Sequence, residues 1–140
     1  MRICGIELKD SEAIVCLLNK NDGLFDLPDC RLRRLPIKDA DQTSELKYFQ
    51  QTMAKLFEDY KVDKVIIRER LKKGKYAGSS VSFKLEAVLQ LIDTVEVELI
   101  SHNTTKETIK RIPVPIPFDE TGLKRFQELA FATAYAALAE

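Results

Sequence analysis

No apolar run in this sequence approaches the roughly 20 residues that span a bilayer, so no transmembrane helix is expected. No charge of one sign dominates: 22 basic residues face 22 acidic ones, and the formal net charge is zero. That balance excludes a protein whose whole surface grips nucleic acid, and leaves room for a local basic patch. The three cysteines, Cys4, Cys16 and Cys30, form no CxxC pair and no metal-ligand spacing. Reduced, partly buried thiols in a cytoplasmic protein are the expectation. Met1-Arg2-Ile3-Cys4-Gly5-Ile6 runs straight into a charged strand, so no signal peptide is expected. GxGxxG, GxSxG and HExxH are missing, as are internal repeats and low-complexity tracts. The one histidine, His102, has no serine or cysteine partner at a catalytic spacing and reads as a hydrogen-bonded loop residue.

What is present describes one domain over residues 1–140. Apolar residues make up 45%, enough for a core, and charged residues make up 31%, enough for a well-solvated surface. Residues 2 to 9 and 12 to 19 are apolar runs separated by Asp10-Ser11, the length of a tight hairpin. Asn21-Asp22-Gly23 is a turn signal, and a third strand is expected around Arg31 to Leu35, paired with the second. Leu46, Phe49, Met53, Leu56, Phe57 and Tyr60 then recur at helical spacing. Asp41, Thr43 or Ser44 is the expected cap of that helix.

Val65-Ile66-Ile67 reads as a short buried strand. Val81, Leu85, Val88, Leu89 and Ile92 mark a second helix, and Val95, Val97 and Leu99 a half-exposed strand. Thr104 with Glu107 fits a capping box for a third helix. Alternate prolines at 113, 115 and 117 force an extended connector. A final alanine-rich helix is expected from near Asp119, with Asp119 and Glu120 at its positive end. The order implies an α/β fold. Three antiparallel strands are followed by two parallel crossovers, giving a mixed five-stranded sheet with helices on both faces.

Chemistry concentrates at one rim. Glu7 and Glu69 end neighbouring parallel strands, at the C-terminal edge where ligands of open α/β sheets bind. Two carboxylates so placed either hold a divalent cation between them or are solvated acids paired with Arg68, Arg70 or Lys9. Lys72-Lys73-Gly74-Lys75-Tyr76-Ala77-Gly78-Ser79-Ser80 follows. It reads either as a phosphate-tracking loop, with Tyr76 stacking on a base and Ser79 or Ser80 opening a helix, or as a solvated loop with a serine cap. Arg31, Arg33 and Arg34 read as a solvated edge.

The opening ICGIELKDSEAIVCLLN, the stretch KVDKVIIRERLKKGKYAGSSVSFKLEAV and the ending ELAFATAYAALAE are together similar to the RuvC-type Holliday junction resolvases. These have a ribonuclease H-like fold. The chain most resembles a small bacterial family related to these nucleases. The resemblance implies that Glu7, Glu69 and Glu128 carry the carboxylates that hold two magnesium or manganese ions for phosphodiester hydrolysis. On the phosphate-tracking reading of the loop, Lys72, Lys73, Lys75, Tyr76, Ser79 and Ser80 are the candidate nucleic-acid contacts. Three positions depart from the pattern: glutamate replaces the first aspartate, Leu8-Lys9-Asp10 replaces a small glycine-containing turn, and Arg125 stands where a second helix acid is found. Two functions therefore stay open. One is a magnesium-dependent nuclease on structured nucleic acid. The other is a non-catalytic module of the same fold that binds nucleic acid or a protein partner. A homodimer is compatible with the sequence, and nothing in it demands one.

Overall fold

The computed structural model describes residues 1–139. Strand β1 (Arg2–Lys9) turns at Asp10-Ser11 into β2 (Glu12–Asn21), with Lys9 opposite Glu12. Asp10 takes a φ of 54°, a left-handed conformation that aspartate tolerates. A second two-residue turn follows, Asp22-Gly23, with φ of 52° and 79°. Positive φ at both central residues matches the twist of paired strands. It returns the chain as β3 (Leu24–Asp26), with Leu24 opposite Asn21.

The third strand expected near Arg31 to Leu35 is present, shorter and paired with β2 as expected, and β3 is an additional strand before it. Strand β4 (Arg34–Pro36) pairs the far end of β2, Pro36 opposite Glu12, while β3 pairs the near end. Pro36 has no N–H to donate, which fits an edge strand. The sheet has six strands, ordered β3-β2-β1-β5-β6, with β4 beside β3 on the edge of β2. Strands β5 (Lys64–Arg68) and β6 (Glu96–Ile100) run parallel to β1. Helices α1 (Thr43–Asp59) and α2 (Ser80–Gln90) make the crossovers. Helix α3 (His102–Arg111) and helix α4 (Glu128–Ala139) complete the chain. The mixed sheet with helices on both faces is the expected architecture.

Strand periodicity divides the core into two layers. Cys4, Ile6, Leu8, Val65 and Ile67 point to one face, where Phe49, Met53 and Leu56 of α1 and Leu85 and Leu89 of α2 cover them. Ile3, Ile14, Cys16, Leu18 and Ile66 point to the other, beneath Ala130, Phe131, Ala134 and Tyr135 of α4. Gly5 sits on this second face. A Cβ there would lie 2.3 Å from the Ala130 carbonyl oxygen and 2.8 Å from the Ala134 Cβ. Glycine at 5 and alanines on α4 are thus what let helix and sheet approach so closely. Cys4, Cys16 and Cys30 are free thiols.

Three local expectations shift. The cap of α1 is Gln42, with no side-chain hydrogen bond, rather than Asp41, Thr43 or Ser44. The cap of α3 is Ser101, whose Oγ accepts from the Thr104 N–H at 3.1 Å, so the Thr104–Glu107 box lies one turn inside the helix. The last helix begins at Glu128, nine residues beyond Asp119 (128 − 119). Short 3-10 turns at Phe118–Glu120 and Arg125–Gln127 precede it, separated by Gly122 at φ 80°. The buried Gln127 fixes that start. Its Nε2 donates to the Val15 carbonyl at 2.9 Å, while its Oε1 accepts from the Lys124 N–H at 3.0 Å. Pro113 to Pro117 forms neither helix nor strand and bends at Pro115-Ile116 instead of running extended throughout, and Pro113 is pinned to α4. The Tyr135 hydroxyl reaches the Ile112 and Pro113 carbonyls at 3.1 and 3.0 Å.

Candidate nucleic-acid interface

The site lies at the C-terminal ends of β1 and β5. Ile6 stands opposite Ile67 in the parallel pairing, so the next residues, Glu7 and Arg68, are level on the face that α4 covers. Glu7 also stands opposite Ile14 of that same layer. Glu69 follows Arg68 and its N–H still donates to the Ile100 carbonyl at 2.8 Å, so the backbone stays extended. Side chains alternate along an extended chain, which turns Glu69 toward α2. On that side its charge acts on Glu86, whose carboxyl is raised by burial first and by Glu69 second.

Glu7 and Glu69 nonetheless line one cleft, of about 920 Å³, together with Lys9, Arg68, Arg70 and His102. Glu7 is 6% exposed. Burial raises its carboxyl above the ordinary range, and Arg68, Lys9 and Arg70 pull it partly back. Burial also lowers Arg68, against the opposing pull of Glu7. Arg68 Nη2 lies 3.3 Å from His102 Nδ1. His102 is the first residue of α3, so this helix presents its N-terminus to the cleft.

Glu128 is placed differently from the other two acids. It opens α4 rather than lying two turns inside it, and its carboxylate is 3.8 Å from Arg125 Nη1. Its neighbour Leu129 lines the cleft. Among the described residues, no three His, Cys, Asp or Glu side chains are grouped to hold a metal ion. Two magnesium ions require several carboxylates converging on one place. Here two carboxylates from opposite faces share the cleft with three cations, a donor set that does not fit a magnesium pair.

The lysine loop folds back across the rim. Gly78 N–H donates to the Leu71 carbonyl at 2.8 Å, and Gly74 turns the chain at φ 91°. Ser79 caps α2 by accepting from Ser82 N–H, and its hydroxyl donates to the Asp10 carbonyl at 3.1 Å, tying loop to hairpin. Ser80 is the exposed first residue of α2. Tyr76 is 74% exposed, lines the cleft and lies under Lys75, 5.7 Å from its ring centre. Lys72, Lys73 and Lys75 are exposed, and among the described residues none of them is in an ion pair. In the Arg31–Arg34 cluster, Arg31 bridges Asp59 at 2.8 Å and Arg34 lies over the Phe126 ring at 4.6 Å.

Glu7, Glu69 and the loop stand out in the sequence, whereas His102, expected as a loop residue, is the first residue of α3 and lines the cleft. In the sequence Arg68 reads only as a partner for the acids. Its place level with Glu7 depends on strand register, for which the linear sequence carries no signal.

The chain belongs to the DUF3010 family, described as a protein of unknown function, whose model matches residues 1–137. No curated protein matches it. Among solved structures it is similar to Thermus thermophilus RuvC at 12% identity and a TM-score of 0.73, covering 99% of this chain and 94% of that one. It is likewise similar to T. thermophilus RuvC in complex with Holliday junction substrate, at 9% identity and a TM-score of 0.74, over 99% and 93% of the two chains. The yeast mitochondrial Holliday junction resolvase Ydc2 is similar at 9% identity and a TM-score of 0.59, over 98% and 75%. The fold is thus RuvC-like and ribonuclease H-like. No helix among the described residues is long and apolar enough to cross a membrane.

Proposed function

We propose that this DUF3010 chain binds structured, branched nucleic acid across the Glu7 cleft. The observation that carries this reading is the charge of the rim. Lys9, Arg68 and Arg70 line the cleft, and three lysines free of ion pairs stand on the adjoining loop. Exposed cations along a concave rim attract a phosphate backbone. Tyr76 offers a face on which a base stacks. Ser79 ties the loop to the hairpin and caps α2, and Ser80 opens that helix. The choice of a branched ligand is supported by the RuvC-like fold, since one of the similar structures holds a Holliday junction.

A second reading keeps the chemistry of the resemblance: metal-dependent phosphodiester hydrolysis with Glu7 and Glu69 as ligands of magnesium or manganese, and Glu128 as a third. What favours it is that Glu7 and Glu69 line the same cleft. What opposes it is the outward position of Glu128 and the three cations.

One experiment tests both. Fluorescence anisotropy compares a four-way DNA junction with a linear duplex of equal length, and the same mixtures are incubated with magnesium and manganese. The expected result is tighter binding of the junction and intact strands. Equal or no binding of both ligands overturns the first reading. Strand cleavage that Glu7→Gln and Glu69→Gln both abolish establishes the second.

A further inference from the structure

We infer that the cleft takes a phosphate group directly on the protein's own cations, with Arg68 as the principal contact, and needs no bridging divalent ion. The inference deepens the nucleic-acid reading, on which it rests for the owner of the phosphate.

Arg68 is half-buried at the cleft wall, yet among the described residues no carboxylate lies within 4.0 Å of its basic nitrogens. The same holds for Lys9 and Arg70. Arg70 has in addition a buried Nε without a hydrogen-bond partner. Three cations line one concavity with two carboxylates, an excess of one positive charge (3 − 2), and among the described residues none of the three is closed into an ion pair, so their donors are open to a phosphate. Arginine suits the task because its planar fork matches two phosphate oxygens at once.

His102 Nδ1, 3.3 Å from Arg68 Nη2, holds the guanidinium against the start of α3. Ser101 Oγ caps only the Thr104 N–H. The first backbone N–H groups of a helix have no partner within it, and here Ser101, His102 and Asn103 line the cleft. Two acids oppose the anion. Glu69 turns toward α2, whereas Glu7 stands level with Arg68, about 4.8 Å away at the backbone as neighbouring strands are. In this cleft Glu7 acts as a competitor of the phosphate rather than as a bridge to it.

His102 is the only histidine, so its imidazole gives a single reporter signal by NMR. Inorganic phosphate is titrated into the full chain in EDTA at constant ionic strength. The expected result is a saturable shift of the His102 signal. Arg68→Gln weakens phosphate about tenfold to a hundredfold. Arg68→Lys, which keeps the charge and loses the fork, falls between. Glu7→Gln tightens binding about fivefold. Thermal melting of each variant separates lost contact from lost fold. If Arg68→Gln does not fold, Arg68→Lys and Glu7→Gln decide the matter.

The inference fails if the signal moves only when magnesium replaces EDTA, if Arg68→Lys binds like the parent, or if Glu7→Gln abolishes binding. A junction bound with normal affinity while His102 ignores phosphate sinks this inference and spares the nucleic-acid reading. A phosphate-induced shift in a chain that binds no nucleic acid does the reverse.

Discussion

The two rims of the sheet are built from similar residues and handle charge in opposite ways. At the N-terminal rim of β1 and β5 the cations are partnered. Arg2 donates to Asn19 Oδ1 at 2.8 Å and to the Tyr60 carbonyl at 2.6 Å. Lys64 stands 3.3 Å from Glu98 and 3.8 Å from Glu96. Arg31, on the segment that packs beside Tyr60, holds Asp59 and stacks on the Tyr60 ring. At the C-terminal rim, Lys9, Arg68 and Arg70 line a cleft and, among the described residues, none of them is in an ion pair, Arg68 having only the His102 ring at 3.3 Å. A cation that closes on a carboxylate of its own chain serves structure. One left open in a concavity remains available to a ligand, at the expense of repulsion among like charges. On the proposed reading, the contrast separates a rim that binds from a rim that holds the fold.

The largest expected effect breaks both rims at once. Gly5 lies between them, and an alanine there meets the Ala130 carbonyl at 2.3 Å. Gly5→Ala is expected to cost about 3 kcal/mol in urea denaturation. An unchanged midpoint would mean that α4 does not sit so close.

Next, replacing Lys72, Lys73 and Lys75 together by glutamate is expected to lower the log–log salt dependence of junction binding by about 2 to 3. Lys64→Ala at the other rim is expected to leave it untouched. Equal effects at the two rims would erase the distinction between them.

Arg2→Ala sharpens it from the structural side. Loss of a charged donor to Asn19 and Tyr60 is expected to lower stability by about 2 kcal/mol with junction affinity preserved.

The smallest effect concerns Glu7. Its carboxyl is raised by burial, so the folded chain favours the protonated form. Its favourable contribution is complete at pH below the unfolded value and is lost as pH rises through the folded one. Glu7→Gln is therefore expected to melt higher than the parent at pH 7, with the gap closing on acidification. A gap that widens in acid would contradict burial as the dominant cause.

Much of the fold is legible in the chain. Asp10-Ser11 and Asp22-Gly23 are turn chemistry, and both make tight turns. The spacing of Phe49, Met53 and Leu56 marks α1, and all three are buried. Boundaries are less legible where competing local options exist. Ser101 took the cap that Thr104 offered, and the start of α4 was decided by Gln127 bonding to Val15, a residue 112 positions away. At the site, Glu7, Glu69 and the lysine loop are visible as residue types in strand-end positions. The acid on the last helix lies outside the cleft lining, because Glu128 begins α4 beside Arg125 instead of lying further along it.

By itself the sequence determined the layers and the inventory of charge: alternating apolar residues specify which side of each strand is buried, because burial is a local property of periodicity. Which charges stand together was left to the tertiary structure. The pairing of Ile6 with Ile67 sets Arg68, rather than Glu69, beside Glu7. A shift of one residue in register would exchange those two neighbours without altering any local pattern of the chain, and only the packing of α1, α2 and α4 against both faces selects between them.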